Sequence, residues 1–263
     1  MNKLAFITLS NEGARLLNRF MEKFPKSDFY ISRKLDVKTA ANAKRFTKIT
    51  ELTNEIFNVY GGLVYIAPCG AVVRAISRNV QNKKTDPAVV VVDVGGRYAV
   101  SLLSGHEGGA NDLAVALANA IDAEPVISTS TEAAKNIIIG IGCRRGKEAG
   151  DIIDSIVTAL SEAGVARGSV RLLASADIKS DEEGLIQAAQ TLGIPIRFIS
   201  SEEIRSSQRE FARSGFVEKS VNLPAVAEPA ALLAGRRTKL ILQKRNFGGI
   251  TIAIAKESSL SLE

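Results

Sequence analysis

"KLAFITL", "GGLVYIAP", "PAVVVVDV", "NIIIGIG" and "SVRLLASA" are short apolar runs ending at glycine, proline or a small residue, and most lead into a stretch with apolar residues at helical spacing. This alternation constrains the fold more than any other feature. A strand apolar on both faces needs cover on both, and helices packed outside a sheet supply it. The predicted fold class is α/β: two or three α/β units with parallel or mixed sheets flanked by helices. Tryptophan is absent and aromatics are 5%, so the cores must come from Ala, Val, Ile and Leu.

The first run is followed by a helix capped by Ser10 or Asn11, with Leu17, Phe20 and Phe24 inward. Residues 40–58 read as one helix carrying Phe46, Ile49, Leu52, Ile56 and Phe57 on its inner face. "DPAVVVVDVGGRYAVSLLS" reads as a hairpin turning at Gly95–Gly96, and a helix follows from Ala110 to Ala120. The pattern restarts near residue 133. Gly193 ends a helix, and a last hairpin turns between Asn246 and Gly249. The expected division is an N-terminal α/β region at 1–60, a middle α/β region at 61–135, a C-terminal α/β domain at 136–258 and a tail at 259–263.

The net charge of +6 is uneven: residues 205–256 hold ten basic and three acidic side chains. Such a field favours an anionic partner or simply a soluble surface. No nucleic-acid motif accompanies it, and few aromatics are available to stack bases, so nucleic acid is not an expected partner. No apolar run approaches the ~20 residues that span a bilayer, so no membrane partner is expected. The N-terminal apolar run is too short for a secretory leader, and two cysteines make no disulfide framework, so a cytoplasmic protein is expected.

"LLSGHEGGANDLA" holds the chain's one histidine, His106, between a strand and a helix. It reads either as a solvated loop residue or as a base acting on water. A helix N-terminus disfavours the imidazolium, which supports the second reading. Glu107 can orient the imidazole or be a solvated carboxylate. Gly108 and Gly109 permit close backbone approach, and their amides are candidates to hold an oxygen gaining charge. Ser104 shares a side with His106 in an extended segment. Asn111 and Asp112 read as helix caps before catalysts.

"GIGCRRG", from Gly140 to Gly146, has a broken dinucleotide spacing. Its paired arginines, Arg144 and Arg145, read either as an exposed basic turn or, because they sit awkwardly at a helix start, as a clamp for an anion held there. In "IAPCGAVVRAI", Cys69 reads as a small buried hydrophobe, Gly70 as a free amide and Arg74 as an anion contact. Ser175, Asp177 and Lys179 face a ligand or form turns. No metal-ligand spacing occurs, so no protein-bound metal is expected.

"LLSGHEGGANDLA", "PVISTSTE", "IGIGCRRG", "SADIKSDEEGL", "VEKSVNLPAVAEPAALLAG" and "FGGITIAIAK" together resemble the cobalt-precorrin-5A hydrolases of anaerobic cobalamin biosynthesis, the CbiG type. The resemblance spans nearly the whole chain and is weakest over the first 60 residues. It implies a C-terminal domain similar to a small stand-alone protein of the aerobic corrin pathway. It implies opening of a δ-lactone on a contracted cobalt tetrapyrrole, with loss of acetaldehyde. The cobalt arrives inside the substrate, so no cofactor is implied. His106 and Glu107 would be catalytic, with Gly108 and Gly109 as oxyanion donors. Ser104, Gly105, Asn111, Cys69, Gly70, Arg74, Gly142, Arg144, Arg145 and Lys219 would contact substrate in a cleft between units. Other corrin-pathway enzymes and a second copy of the chain are the remaining expected partners. The non-catalytic alternative is a tetrapyrrole carrier; a nucleotide-binding regulator is disfavoured by the absent Walker and dinucleotide patterns.

Overall fold

The computed structural model describes residues 3–35, 43–209, 223 and 225–259. The chain forms two compact units, Met1–Thr129 and Ser130–Glu263. In the first, the elements are β1 (Leu4–Thr8), α1 (Asn11–Lys23), β2 (Asp28–Ser32), β3 (Lys44–Phe46), α2 (Ile49–Ile56), β4 (Gly62–Ile66), α3 (Cys69–Ile76), β5 (Ala88–Val92), β6 (Tyr98–Leu103), α4 (Ala110–Ile121) and β7 (Glu124–Val126). They build one mixed sheet in the order β3-β2-β1-β4-β5-β6-β7.

Side-chain alternation decides which helix covers which face. Phe6, Val64, Val90 and Val92 pack with Leu17 and Phe20 of α1 and Leu113 and Leu117 of α4. Ala5, Ile7, Leu63, Tyr65, Val89 and Val91 pack with Leu52 and Ile56 of α2 and Val72 and Ile76 of α3. β1 pairs with β2 on one side and with β4 on the other, from Leu4↔Gly62 to Thr8↔Ile66. Residues 1–60 and 61–129 are therefore one unit, because β1 lies inside the shared sheet, between β2 and β4.

The helix expected over 40–58 is shorter. Lys44–Phe46 is a strand beside β2, Ser32 paired with Phe46, and only Ile49–Ile56 is helical. Phe46 is buried as expected, but by strand alternation and not by a helical face.

The Gly95–Gly96 hairpin is present, with Gly96 at φ +70°. It turns β6 antiparallel to β5, whereas β1, β4 and β5 run parallel. The loop after β6 therefore lies where β5 begins, and the loop after β4 lies where β5 ends. The two are about 16 Å apart along a five-residue strand.

The second unit contains α5 (Ser130–Ala133), β8 (Ile137–Cys143), α6 (Ala149–Glu162), β9 (Val170–Ala176), α7 (Glu183–Leu192), β10 (Ile196–Ile199), α8 (Ser201–Ser206), α9 (Ala227–Leu233), β11 (Thr238–Phe247) and β12 (Ile250–Glu257). Its sheet runs β10-β9-β8-β12-β11. β8 is central, parallel to β9 and antiparallel to β12. Gly140 lets α9 close onto β8: a Cβ there would stand 1.9 Å from the Ala227 carbonyl oxygen.

Candidate functional site

Between β6 and α4 the chain folds into a turn held by its own amides. The Ser104 carbonyl oxygen accepts two of them, from Gly108 at 3.1 Å and Ala110 at 3.2 Å. The Gly109 amide donates to the His106 carbonyl at 3.2 Å, and the Asn111 amide to the Gly105 carbonyl at 3.0 Å. To aim its carbonyl this way Ser104 takes φ +57°, a left-handed conformation costing a non-glycine residue about 1–2 kcal/mol. Its hydroxyl is buried and has no hydrogen-bond partner. Gly108 fills a place where a Cβ would meet the Ser104 Cβ at 2.5 Å, and Gly109 caps α4 at φ +80°.

This geometry corrects two expectations. The Gly108 and Gly109 amides are not open donors, because both are spent on carbonyls of the turn. Asn111 is not the cap of α4, which is Gly109. It is buried, accepts from the Ser101 hydroxyl at 2.8 Å and donates to Thr129 Oγ1 at 3.1 Å, so it ties the start of α4 to β6 and to residue 129. Gly105 belongs to the same tie: a Cβ there would strike Thr129 at 2.5 Å. Its role is packing.

His106 and Glu107 are exposed at the crest of the turn. Glu107 pairs with Lys83 at 3.1 Å. Its own backbone N–H, then the Lys83 ammonium, hold its carboxyl below the usual range. An exposed carboxylate so stabilised is a poor base.

Cys69, Gly70 and Arg74 lie at the opposite edge of the sheet, and all three are exposed. Cys69 is thus not the buried hydrophobe expected, because it opens α3 beyond the end of β4. It borders a cavity of about 530 Å³ with Pro68, Val91, Tyr98, Val100 and Val126. The sequence reading missed this cavity. Its signal was Tyr98 and Val126, apolar residues at strand positions with no covering helix.

In the second unit the arginine turn has its anions built in. Arg145 Nη1 stands 3.0 Å from both Asp181 carboxylate oxygens. The Gly146 amide donates to Glu182 Oε1 at 2.6 Å. Glu182 is buried and pairs through its other oxygen with the buried Lys179 at 3.3 Å. Arg145 is thus paired with an exposed carboxylate beside the turn, and Glu182 is a residue the sequence reading missed. The spacing Lys179-x-x-Glu182 was its only local trace. Gly142 packs against Val226, and the Arg144 amide donates to the Gly249 carbonyl at 3.0 Å. Burial pushes the Cys143 thiol up. Ser175 donates to the Ile141 carbonyl at 2.8 Å and Asp177 accepts from Ser201, so with Lys179 they serve the fold. Lys219 lies outside the described residues. Among those residues, no group of three or more His, Cys, Asp or Glu could hold a metal ion, and no helix is long and apolar enough to cross a membrane.

Residues 51–132 match the family model "Cobalamin synthesis G N-terminal", and residues 137–255 match "Cobalamin synthesis G C-terminus". The chain belongs to the cobalamin synthesis G family. The first match contains the His106 turn and the second contains the arginine turn. A relative in Priestia megaterium, named cobalt-precorrin-5A hydrolase, is 26% identical, with 95% of this chain and 94% of that protein covered. One of the same name in Salmonella typhimurium is 24% identical, with 76% and 83% covered. The protein CobE of a Sinorhizobium species is 35% identical over 136 residues, which are 51% of this chain and 88% of CobE.

Proposed function

We propose that this protein is a cobalt-precorrin-5A hydrolase of anaerobic cobalamin biosynthesis, which opens the substrate's δ-lactone, releases acetaldehyde and yields cobalt-precorrin-5B. The observation that carries the reading is the pair of family matches in one order along one chain, with relatives of that name aligned over most of their length. The reaction is read as cytoplasmic and as needing no resident cofactor, since the cobalt enters as part of the substrate. Other enzymes of the pathway and a second copy of the chain are the partners this reading allows.

His106 is assigned as the general base. It takes a proton from water as the water oxygen bonds to the lactone carbonyl carbon. The carbonyl π pair moves onto oxygen and returns as the ring C–O bond breaks, and the leaving oxygen takes the proton from His106. The hydroxyl so formed then loses its proton. Its C–C bond cleaves, acetaldehyde departs with the new C=O, and the bond pair passes to the macrocycle. A positioned base contributes about 10²–10⁴-fold to such a step. The substrate's carboxylates suit the net positive charge of the chain.

The test is incubation of the purified protein with cobalt-precorrin-5A, trapping acetaldehyde as a hydrazone and following the macrocycle by mass. Acetaldehyde in step with lactone loss is expected. Tight binding with neither change would make the protein a carrier and overturn the assignment.

A further inference from the structure

We infer that the first unit holds its substrate on the uncovered face of β6: the cavity beside Cys69 takes one edge of the cobalt tetrapyrrole, and β6 leads the other edge toward the turn that carries His106. The inference rests on the hydrolase reading above for the identity of the ligand. It deepens that reading by giving the macrocycle a place.

The two faces of β6 are unlike. Ala99 packs in the core beneath α4, and the buried Ser101 bonds to Asn111 of that helix. Tyr98, Val100 and Leu102 point to the other face. There α2 and α3 pack over β1, β4 and β5, and Val100 and Leu102 lie at the margin of that cluster, half-buried, while Tyr98 is exposed. Val126 of β7 stands beside Val100 and is exposed as well. This apolar floor opens into the cavity of about 530 Å³, a size within the range of small-molecule sites. Ala67 and Pro68 after β4 and Asp93 and Val94 after β5 line it, so it lies outside the carboxyl ends of those strands, where open α/β sheets take their ligands.

The rim suits an anion. Arg97 lies over the Tyr98 ring, 5.9 Å from its centroid, and is held there by Asp93. Arg74 folds back over the start of α3 beside Cys69: a Cβ at Gly70 would stand 3.8 Å from both of its terminal nitrogens. Arg74 makes no ion pair among the described residues. Its planar fork matches a carboxylate of the substrate. Length argues for a large ligand. Tyr98 and the turn at Ser104 are six residues apart, about 20 Å of strand. A small metabolite would fill the cavity and leave the rest of the floor bare, whereas a substituted macrocycle extends along it.

The test uses the full chain and takes Cys69, whose thiol is exposed at the cavity, as a reporter. The probe is cobyrinic acid, a cobalt corrinoid with free carboxylates. At about ten times its Kd it should slow alkylation of Cys69 by N-ethylmaleimide about tenfold, and citrate at the same concentration should not. Val126→Glu and Tyr98→Glu each set a carboxylate on the floor, facing those of the ligand. The Kd for cobyrinic acid and the KM for cobalt-precorrin-5A should rise at least about tenfold in both. Both side chains are already exposed, so the urea midpoint should stay where it is. Val157→Glu, at an exposed position of α6, should change neither constant. Cys69 unprotected by bound cobyrinic acid, or parent affinity in both floor variants, overturns the inference. Cys69 that is shielded without ligand and becomes reactive on dilution marks a second copy of the chain as the occupant and overturns it too. Protection of Cys69 with no acetaldehyde from cobalt-precorrin-5A overturns the hydrolase reading and leaves the site. Acetaldehyde release with Cys69 unprotected does the reverse.

Discussion

Glu182 Oε1 accepts the Gly146 amide at 2.6 Å across 36 residues of sequence, and its second carboxylate oxygen faces Lys179. One buried side chain thus closes the turn after β8 and neutralises a buried ammonium. Glu182→Ala leaves Lys179 buried without its carboxylate and the Gly146 amide without its acceptor. Breaking a buried pair from one side costs about 3–5 kcal/mol. Urea unfolding should show that loss. A loss below 1 kcal/mol would mean that water replaces the carboxylate at no cost.

Asp93 should shape the acid limb of stability. Burial pushes its carboxyl up, but the amides of Tyr98, Arg97 and Gly95, with the Arg97 side chain, outweigh burial, so the folded value lies below the ordinary 3.8. A depressed carboxyl stabilises the fold fully above its unfolded pKa and loses that contribution as pH falls through the folded one. Asp93→Asn should therefore weaken the protein at neutral pH and lessen the further loss below about pH 4. Thermal melts from pH 7 to pH 3 check this. Parallel curves for the two proteins would remove Asp93 from the acid response.

Asn111→Ala removes the acceptor of the buried Ser101 hydroxyl and the donor to Thr129. A buried polar group left unpaired costs about 1–3 kcal/mol. The expected result is a loss of that size in denaturant unfolding. Asn111→Asp should also be destabilising, since it puts an ionisable carboxyl in a buried place. A neutral Asn111→Ala would show that the tie carries no stability.

Legibility followed distance along the chain. The Ser10 cap accepts from the Gly13 amide three residues on, and Gly95–Gly96 reverse the chain by local backbone freedom, so both were visible in sequence. Lys44–Phe46 was read as helix because its strand character comes from pairing with Tyr30, Ile31 and Ser32. The arginine turn was recognised as needing an anion, but Asp181 and Glu182 answer that need from 36 residues away. The His106 turn follows a strand and precedes a helix, as the sequence indicated, but which end of the sheet it occupies depends on the hairpin, which reverses β6 and sets the turn beside the start of β5. The amides of Gly108 and Gly109 were taken as free because glycine reports permission to bend, not which carbonyl lies within reach.

His106→Ala tests the assignment on which the chemistry depends. The side chain is exposed, and Glu107 beside it is held as an anion by its own amide and Lys83, which makes that carboxylate a poor base at neutral pH. Loss of the imidazole should lower kcat for acetaldehyde release by at least about 10²-fold, with KM little changed because the ring transfers a proton and does not anchor the macrocycle. Lys83→Met should return the Glu107 carboxyl toward its ordinary value, readable by carboxyl NMR titration, while leaving most of the activity. If His106→Ala keeps the parent rate, the base is elsewhere. If Lys83→Met falls as far as His106→Ala, the Lys83–Glu107 pair, and not the imidazole alone, is the group that handles the proton.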